Sequence, residues 1–211
     1  MPKNLVIVGG GEHAQVVAEA AQSHPDLWMV KGFVDRDSAA RIRNLPQLPH
    51  LGSDDALRDL PSGEQWWAVL GIGALTRPSL RSEVVSSLIG CEIHWASIVH
   101  AAAYISPAAT LRDGSVVMAG AIVNPNAILG THCVVNTGAI VEHDVHIGDF
   151  SLISPGVVIG GGAVVEEDCL IGLGATVRDH VRIGRNATVG MGAVVVKDVA
   201  PGATVIGIPA R

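Results

Sequence analysis

Over the second half of the chain an aliphatic residue returns at every sixth position. It does so sixteen times in succession, at Ile105, Leu111, Val117, Val123, Leu129, Val135, Val141, Ile147, Ile153, Ile159, Val165, Ile171, Val177, Ile183, Val189 and Val195. Ile93 and Val99 extend the register backward. Four residues after the aliphatic position the side chain is usually small, as at Ala121, Ala127, Cys133, Ala139, Ser151, Ala163, Cys169, Ala175, Ala187 and Ala193. A period of six fits neither an amphipathic helix nor an alternating strand. It fits a parallel β-helix, in which each repeat supplies one short strand and a turn and three repeats close one triangular coil. The pattern predicts about five to six coils. Aliphatic side chains would stack inside them, with small ones where the chain turns.

Before the repeats the pattern alternates between strands and helices. Leu5-Val6-Ile7-Val8 reads as a buried strand ending in Gly9-Gly10-Gly11. A helix is expected from about His13 to Ser23, with Val16, Val17 and Ala20 on one face. Further strands are expected over 29–34, 67–72 and 92–95. A short helix capped by Ser53 and a second helix over 77–89 fall between them. This order implies a small parallel sheet. The expected division is an α/β, Rossmann-like domain at 1–92 and a β-helix at 93–211.

Composition narrows the function. The chain is 48% hydrophobic and 3% aromatic, as suits a thin core of Val, Ile, Ala and Leu with little room for rings. Charged residues make up 16%, against a usual value of about a quarter, which points to surface buried in an oligomer. A net charge of −6 argues against a nucleic-acid binder. No signal peptide or apolar run of membrane length is seen, so a cytoplasmic protein is expected. Cys91, Cys133 and Cys169 show no metal spacing.

Two places could carry chemistry. The glycine turn, with Gly9 and Gly11 before a helix, would let backbone N–H groups approach a phosphate. Ala14 at its sixth position breaks the full dinucleotide fingerprint. Asp35, at the end of the second strand, could accept hydrogen bonds from a ribose or a base. The second place is Glu142-His143-Asp144, where carboxylates flank a histidine inside an apolar repeat. A carboxylate on one ring nitrogen raises the basicity of the other, as a general base requires. Neighbours on a regular strand point to opposite faces, so an Asp144 partnership needs a turn there. The histidine spacing does not suit a catalytic metal, and none is expected. The basic residues Arg178, Arg182, Arg185, Lys197 and Arg211 cluster late, after a stretch with none between Asp113 and Val177. They could receive a polyphosphate.

The repeats together with Val135-Asn136-Thr137-Gly138-Ala139-Ile140-Val141-Glu142-His143-Asp144 resemble the sialic acid O-acetyltransferase and nucleotide-sugar N-acetyltransferase family. The resemblance runs from Ile7-Val8-Gly9-Gly10-Gly11-Glu12-His13-Ala14 to Gly207-Ile208-Pro209-Ala210. It implies a left-handed β-helix, acetyl-CoA as co-substrate, and a homotrimer with active sites between subunits. It implies His143 as base, Asp144 as its orienting acid and Gly161 N–H as oxyanion donor. Gly172, Leu173, Gly190 and Gly192 would line the pantetheine arm, and Arg178 and Arg185 would meet the CoA phosphates. Gly9, His13 and Asp35 would hold the nucleotide of a sugar nucleotide. Three positions depart from the family: Leu152 replaces a histidine nine residues after His143, Glu12 replaces a glycine, and Gly73-Ala74-Leu75 replaces a Gly-Asp-Asn type turn. The expected activity is N-acetylation of a nucleotide-linked amino-deoxy sugar for surface glycan synthesis. The alternatives are O-acetylation of sialic acid or another free sugar, and a non-catalytic nucleotide-sugar-binding scaffold.

Overall fold

The structure is a computed structural model and describes residues 1–61, 63–73 and 79–211. The chain divides into two compact units, Met1–Ala101 and Ala102–Arg211.

In the first unit, β1 (Lys3–Val8), α1 (Glu12–Gln22), β2 (Trp28–Val34), β3 (Trp66–Leu70), α2 (Leu80–Ser87) and β4 (Ile93–Trp95) follow in order, with a short 3-10 helix at Asp54–Asp59. The sheet order is β2-β1-β3-β4, and every pairing is parallel. Parallel central strands are covered on both faces. Accordingly Leu5, Val6, Ile7 and Val8 all have no exposed surface. The face of α1 differs from the one expected. Ala14, Val17, Ala18, Ala20 and Ala21 are buried, whereas Val16 is exposed. Alanines let the helix lie close to the sheet, so the buried stripe runs through them. Ser53 precedes the 3-10 helix without a side-chain capping bond. The expected start of the second helix at Arg77 lies outside the described residues, as do Ala74 and Leu75.

From β5 (Ile98–Val99) to β22 (Thr204–Val205) every strand is two residues long. They stack into three parallel sheets, giving the left-handed β-helix of hexapeptide repeats. One sheet runs β21 (Val194–Val195), β18 (Thr176–Val177), β15 (Val158–Ile159), β12 (Ile140–Val141), β9 (Ile122–Val123), β6 (Tyr104–Ile105). Ile140 pairs with Val158 and Val158 with Thr176, so one coil is eighteen residues. The sixth-position residues Val123, Val141, Ile159, Val177 and Val195 are buried in a column, and so are Ala121, Ala139, Ala175 and Ala193. Ile93 is the exception to the register. It pairs with Trp66 in the first sheet, because Trp66 and Trp67 offer it a ladder before the coils begin.

Corners of the coils take left-handed backbone. Glycine supplies it at Gly138, Gly156, Gly174 and Gly192. Elsewhere a polar or aromatic residue does, including Asn126 (φ 62°), His132 (54°), Asp144 (60°) and Phe150 (60°). Asn and Asp tolerate this region best among side chains with a Cβ.

Candidate active site

His143 and Asp144 follow β12 at such a corner. The positive φ of Asp144 turns its side chain back beside its neighbour, which a regular strand would forbid. His143 Nδ1 lies 2.8 Å from Asp144 Oδ2. An ionised carboxylate only accepts, so Nδ1 carries the hydrogen and Nε2 keeps its lone pair. The bond to Asp144 holds the ring above its ordinary value of 6.5. The Asp144 and Glu142 charges add to this, and partial desolvation opposes it. Asp144 in turn is held below the usual carboxylate range, first by His143 and next by Asn126. Both groups are exposed, so the pair is open to a substrate.

The basic nitrogen faces Gly161. A Cβ added there would stand 2.8 Å from both Nε2 and Cε1 of His143. Only glycine leaves the imidazole its place. Gly161 O accepts from the His180 N–H at 3.0 Å, while the Gly161 N–H donates to nothing among the described residues. The structure thus brings an imidazole with a free basic nitrogen, the carboxylate bonded to it and an uncommitted backbone donor to one corner. Leu152 is buried in the strand Leu152–Ile153 and contributes no polar group.

The glycines further along permit close backbone approach. A Cβ on Gly172 would lie 2.7 Å from Met191 N and Val189 O, and one on Gly190 would lie 2.6 Å from the Ile206 side chain. Gly192 has φ 66°. Leu173, Met191, Ile206 and Ile208 are exposed here. Sequence reasoning named Leu173 but passed over Met191, although Met191 lies between the two glycines it did name. Two of the five basic residues at this end are paired within the chain. Arg182 pairs with Glu166 at 2.8 Å and Arg185 with Glu167 at 3.4 Å. Glu166 also accepts from the Arg185 N–H at 2.9 Å and is held below the usual carboxylate range by that bond and by Arg182. Arg178 is exposed and has no ion pair among the described residues.

Cys169 is no nucleophile. Burial pushes its thiol up to about 11, and its Sγ lies 3.2 Å from Gly184 O. Among the described residues no group of three His, Cys, Asp or Glu could hold a metal ion. None of their helices is long and apolar enough to cross a membrane.

The first unit has its own cavity of about 300 Å³, lined among others by Gly9, Gly11, Glu12, His13, Asp35 and Gly73. Gly9 has φ 104°, which suits only glycine, and its N–H donates to Val34 O at 2.7 Å. Asp35 braces the turn. Oδ2 accepts from Gly10 N–H at 2.7 Å and Oδ1 from Asp37 N–H at 2.8 Å. Each oxygen keeps one lone pair for a ligand. Glu12 opens α1 and lines the cavity, so a carboxylate sits where an anion would dock. His13 is the sharpest feature. Its Nε2 is buried and meets no partner among the described residues. Burial, and then the charge of Arg81, push its ring down to about 4, so it is neutral at pH 7.

Comparison with known proteins adds to this geometry. The PglD N-terminal domain model matches residues 4–88, and the bacterial transferase hexapeptide model matches residues 162–197. The acetyltransferase domain of PglB from Neisseria gonorrhoeae is 32% identical, with a TM-score of 0.90 over 99% of this chain and 98% of that one. GDP-perosamine N-acetyltransferase from Caulobacter crescentus, solved with CoA and GDP-perosamine, is 31% identical, with a TM-score of 0.89 over 99% of this chain and 95% of that one. WeeI from Acinetobacter baumannii, 22% identical with a TM-score of 0.64 over 100% of this chain and 99% of that one, shares the fold. No curated protein matches the sequence.

Proposed function

This chain is an acyltransferase that belongs to the two-domain hexapeptide-repeat family of sugar O-acetyltransferases and nucleotide-sugar N-acetyltransferases, and from that membership we propose that it moves the acetyl group of acetyl-CoA directly onto the amino group of a nucleotide-linked amino-deoxy sugar. The product would feed surface glycan synthesis. The observation that carries the reading is the His143–Asp144 pair set against Gly161. The neutral sugar amine attacks the thioester carbonyl while His143 Nε2 accepts its proton. Asp144 holds the imidazolium that results. The Gly161 N–H donates to the tetrahedral oxyanion. The C–S bond then breaks, and the imidazolium proton goes to the departing CoA sulfur. A donor placed at a developing oxyanion is typically worth about 10²–10³ in rate.

Gly172, Gly190, Gly192 and Leu173 would line the pantetheine arm, with the open Gly192 and the exposed Leu173 side chain nearest to it. Arg178 is the better placed of the two named cations for a CoA phosphate, because Arg185 is already paired with Glu167. The cavity at Gly9, Gly11, His13 and Asp35 would take the nucleotide, with the bare His13 Nε2 offering it a buried polar contact. A homotrimer with active sites between subunits and a cytoplasmic location belong to the same reading.

One observation favours a second reading. Glu12 in the cavity opposes a phosphate, which suits O-acetylation of a free sugar instead. Thiol release from acetyl-CoA, measured with UDP-, dTDP- and GDP-linked 4-amino sugars and with free sialic acid, separates the two. Turnover with one nucleotide sugar, lowered about 10²–10⁴-fold in His143→Ala, is the expected result. Turnover with free sialic acid alone would give the second reading. Absence of acetyl-CoA binding together with absence of turnover would return the chain to the scaffold alternative.

A further inference from the structure

We infer that Asn126 is a positioning residue for acetyl transfer: its side-chain amide, one coil before Asp144, fixes the carboxylate that fixes the base. The inference rests on the reading of His143 as that base.

The geometry is a relay of two hydrogen bonds through one carboxylate. Asp144 Oδ2 accepts from His143 Nδ1 at 2.8 Å, and Oδ1 accepts from Asn126 Nδ2 at 3.0 Å. A carboxylate held at one oxygen can still swing about its two side-chain torsions. Held at both, it is confined to one plane, and Oδ2 stays on the imidazole. The main chain is gripped by the same corner, since the Asp144 N–H donates to Pro125 O at 3.0 Å. Pro125 and Asn126 therefore set both the backbone and the side chain of the residue one coil later. Asn126 (φ 62°) and Asp144 (60°) share the left-handed conformation, and that match stacks their side chains in one column.

The choice of an amide also has a chemical reason. A donor must hold the carboxylate in its ionised form. A lysine or arginine would do so too, but its charge would compete with the imidazolium for Asp144 and weaken the base. The amide is neutral. The other groups near Asp144 leave Oδ1 to Asn126. His143 and His146 are the nearby groups that can carry positive charge, Glu142 is the other nearby carboxylate, and the next two coils present Gly162 and then His180. The bond to Asn126 is the second-largest influence holding the Asp144 carboxyl low.

The test uses the full chain and two readouts. Imidazole ¹⁵N–¹H spectra are titrated for wild type and N126G, with the His143 signals identified by their loss in H143A. Glycine keeps the positive φ and removes the amide. In N126G the His143 titration should fall back toward 6.5, because the carboxylate that raises it is held less firmly. The kcat for acetyl transfer should drop roughly tenfold with the KM for acetyl-CoA within about twofold. N186G makes the same backbone change at another left-handed corner (φ 57°) and should match wild type in both. If N126G does not fold, N126D keeps the side-chain shape without its N–H donors and should also lose roughly tenfold in kcat. Either variant, folded and with wild-type kcat and ring titration, overturns the proposal. Full activity in H143A would instead overturn the base assignment, and the ring titration would still report whether Asn126 holds Asp144.

Discussion

Two histidines in this chain are driven in opposite directions, one in each unit. His13 lines the cavity at the glycine turn of the parallel sheet, with a buried, bare Nε2, and is pushed down to about 4. His143 stands on an open corner of the coil, and its carboxylate partner raises it. The same side chain is thus held neutral in one place and made more basic in the other. Burial decides the first and a hydrogen bond decides the second. On the proposed function the first would bind without changing charge, and the second would take up and return a proton.

The largest expected break in that contrast comes from Gly161→Ala. The added Cβ would meet His143 Nε2 and displace the ring from its open face, and kcat should fall roughly 10²-fold with the fold intact by circular dichroism. Next comes acid stability of the sheet unit. His13 in the unfolded chain takes up a proton near 6.5, but in the folded chain only near 4. The unfolded state therefore binds more protons between those values, and stability falls as pH drops through that window by about 3 kcal/mol. Trp28, Trp66, Trp67 and Trp95 all lie in the first unit, so urea unfolding followed by tryptophan fluorescence reports that unit. His13→Asn should flatten the pH dependence. The smallest effect sharpens the other side. Asp144→Asn should lower kcat roughly tenfold and move the acid limb of kcat/KM to lower pH, toward 6.5, because activity needs neutral His143 and the raising contact is gone.

The β-helix could be read from the sequence because its period is set by one side chain per repeat, and Val123 to Val195 obey it without tertiary help. The sheet unit was legible only in outline. Val16 looked like a core residue, but the alanines around it let α1 sit closer to the sheet and left Val16 outside. The apolar spacing of Ile93 fitted the coil, yet pairing with Trp66 took it into the sheet. At the site, His143 and Asp144 stood out as charges in an apolar repeat. Asn126 did not, because its link to Asp144 spans eighteen residues and looks from local sequence like any polar turn. Arg182 and Arg185 read as a cationic patch because Glu166 and Glu167, one strand away, are not neighbours in sequence.

The eighteen-residue coil also acts as a phase. Asn126 meets Asp144 across one full turn, and His143 meets Gly161 across another. Removing a single six-residue repeat between 127 and 142 would keep every inward aliphatic residue inward, so the domain could still close its core. It would, however, rotate all later residues by one face of the triangle and leave His143 and Asp144 out of line with the Pro125–Asn126 corner. Chain length here can change in steps of six without disturbing the core, but the Asn126–Asp144 and His143–Gly161 contacts survive only steps of eighteen, so the spacing itself is heritable information.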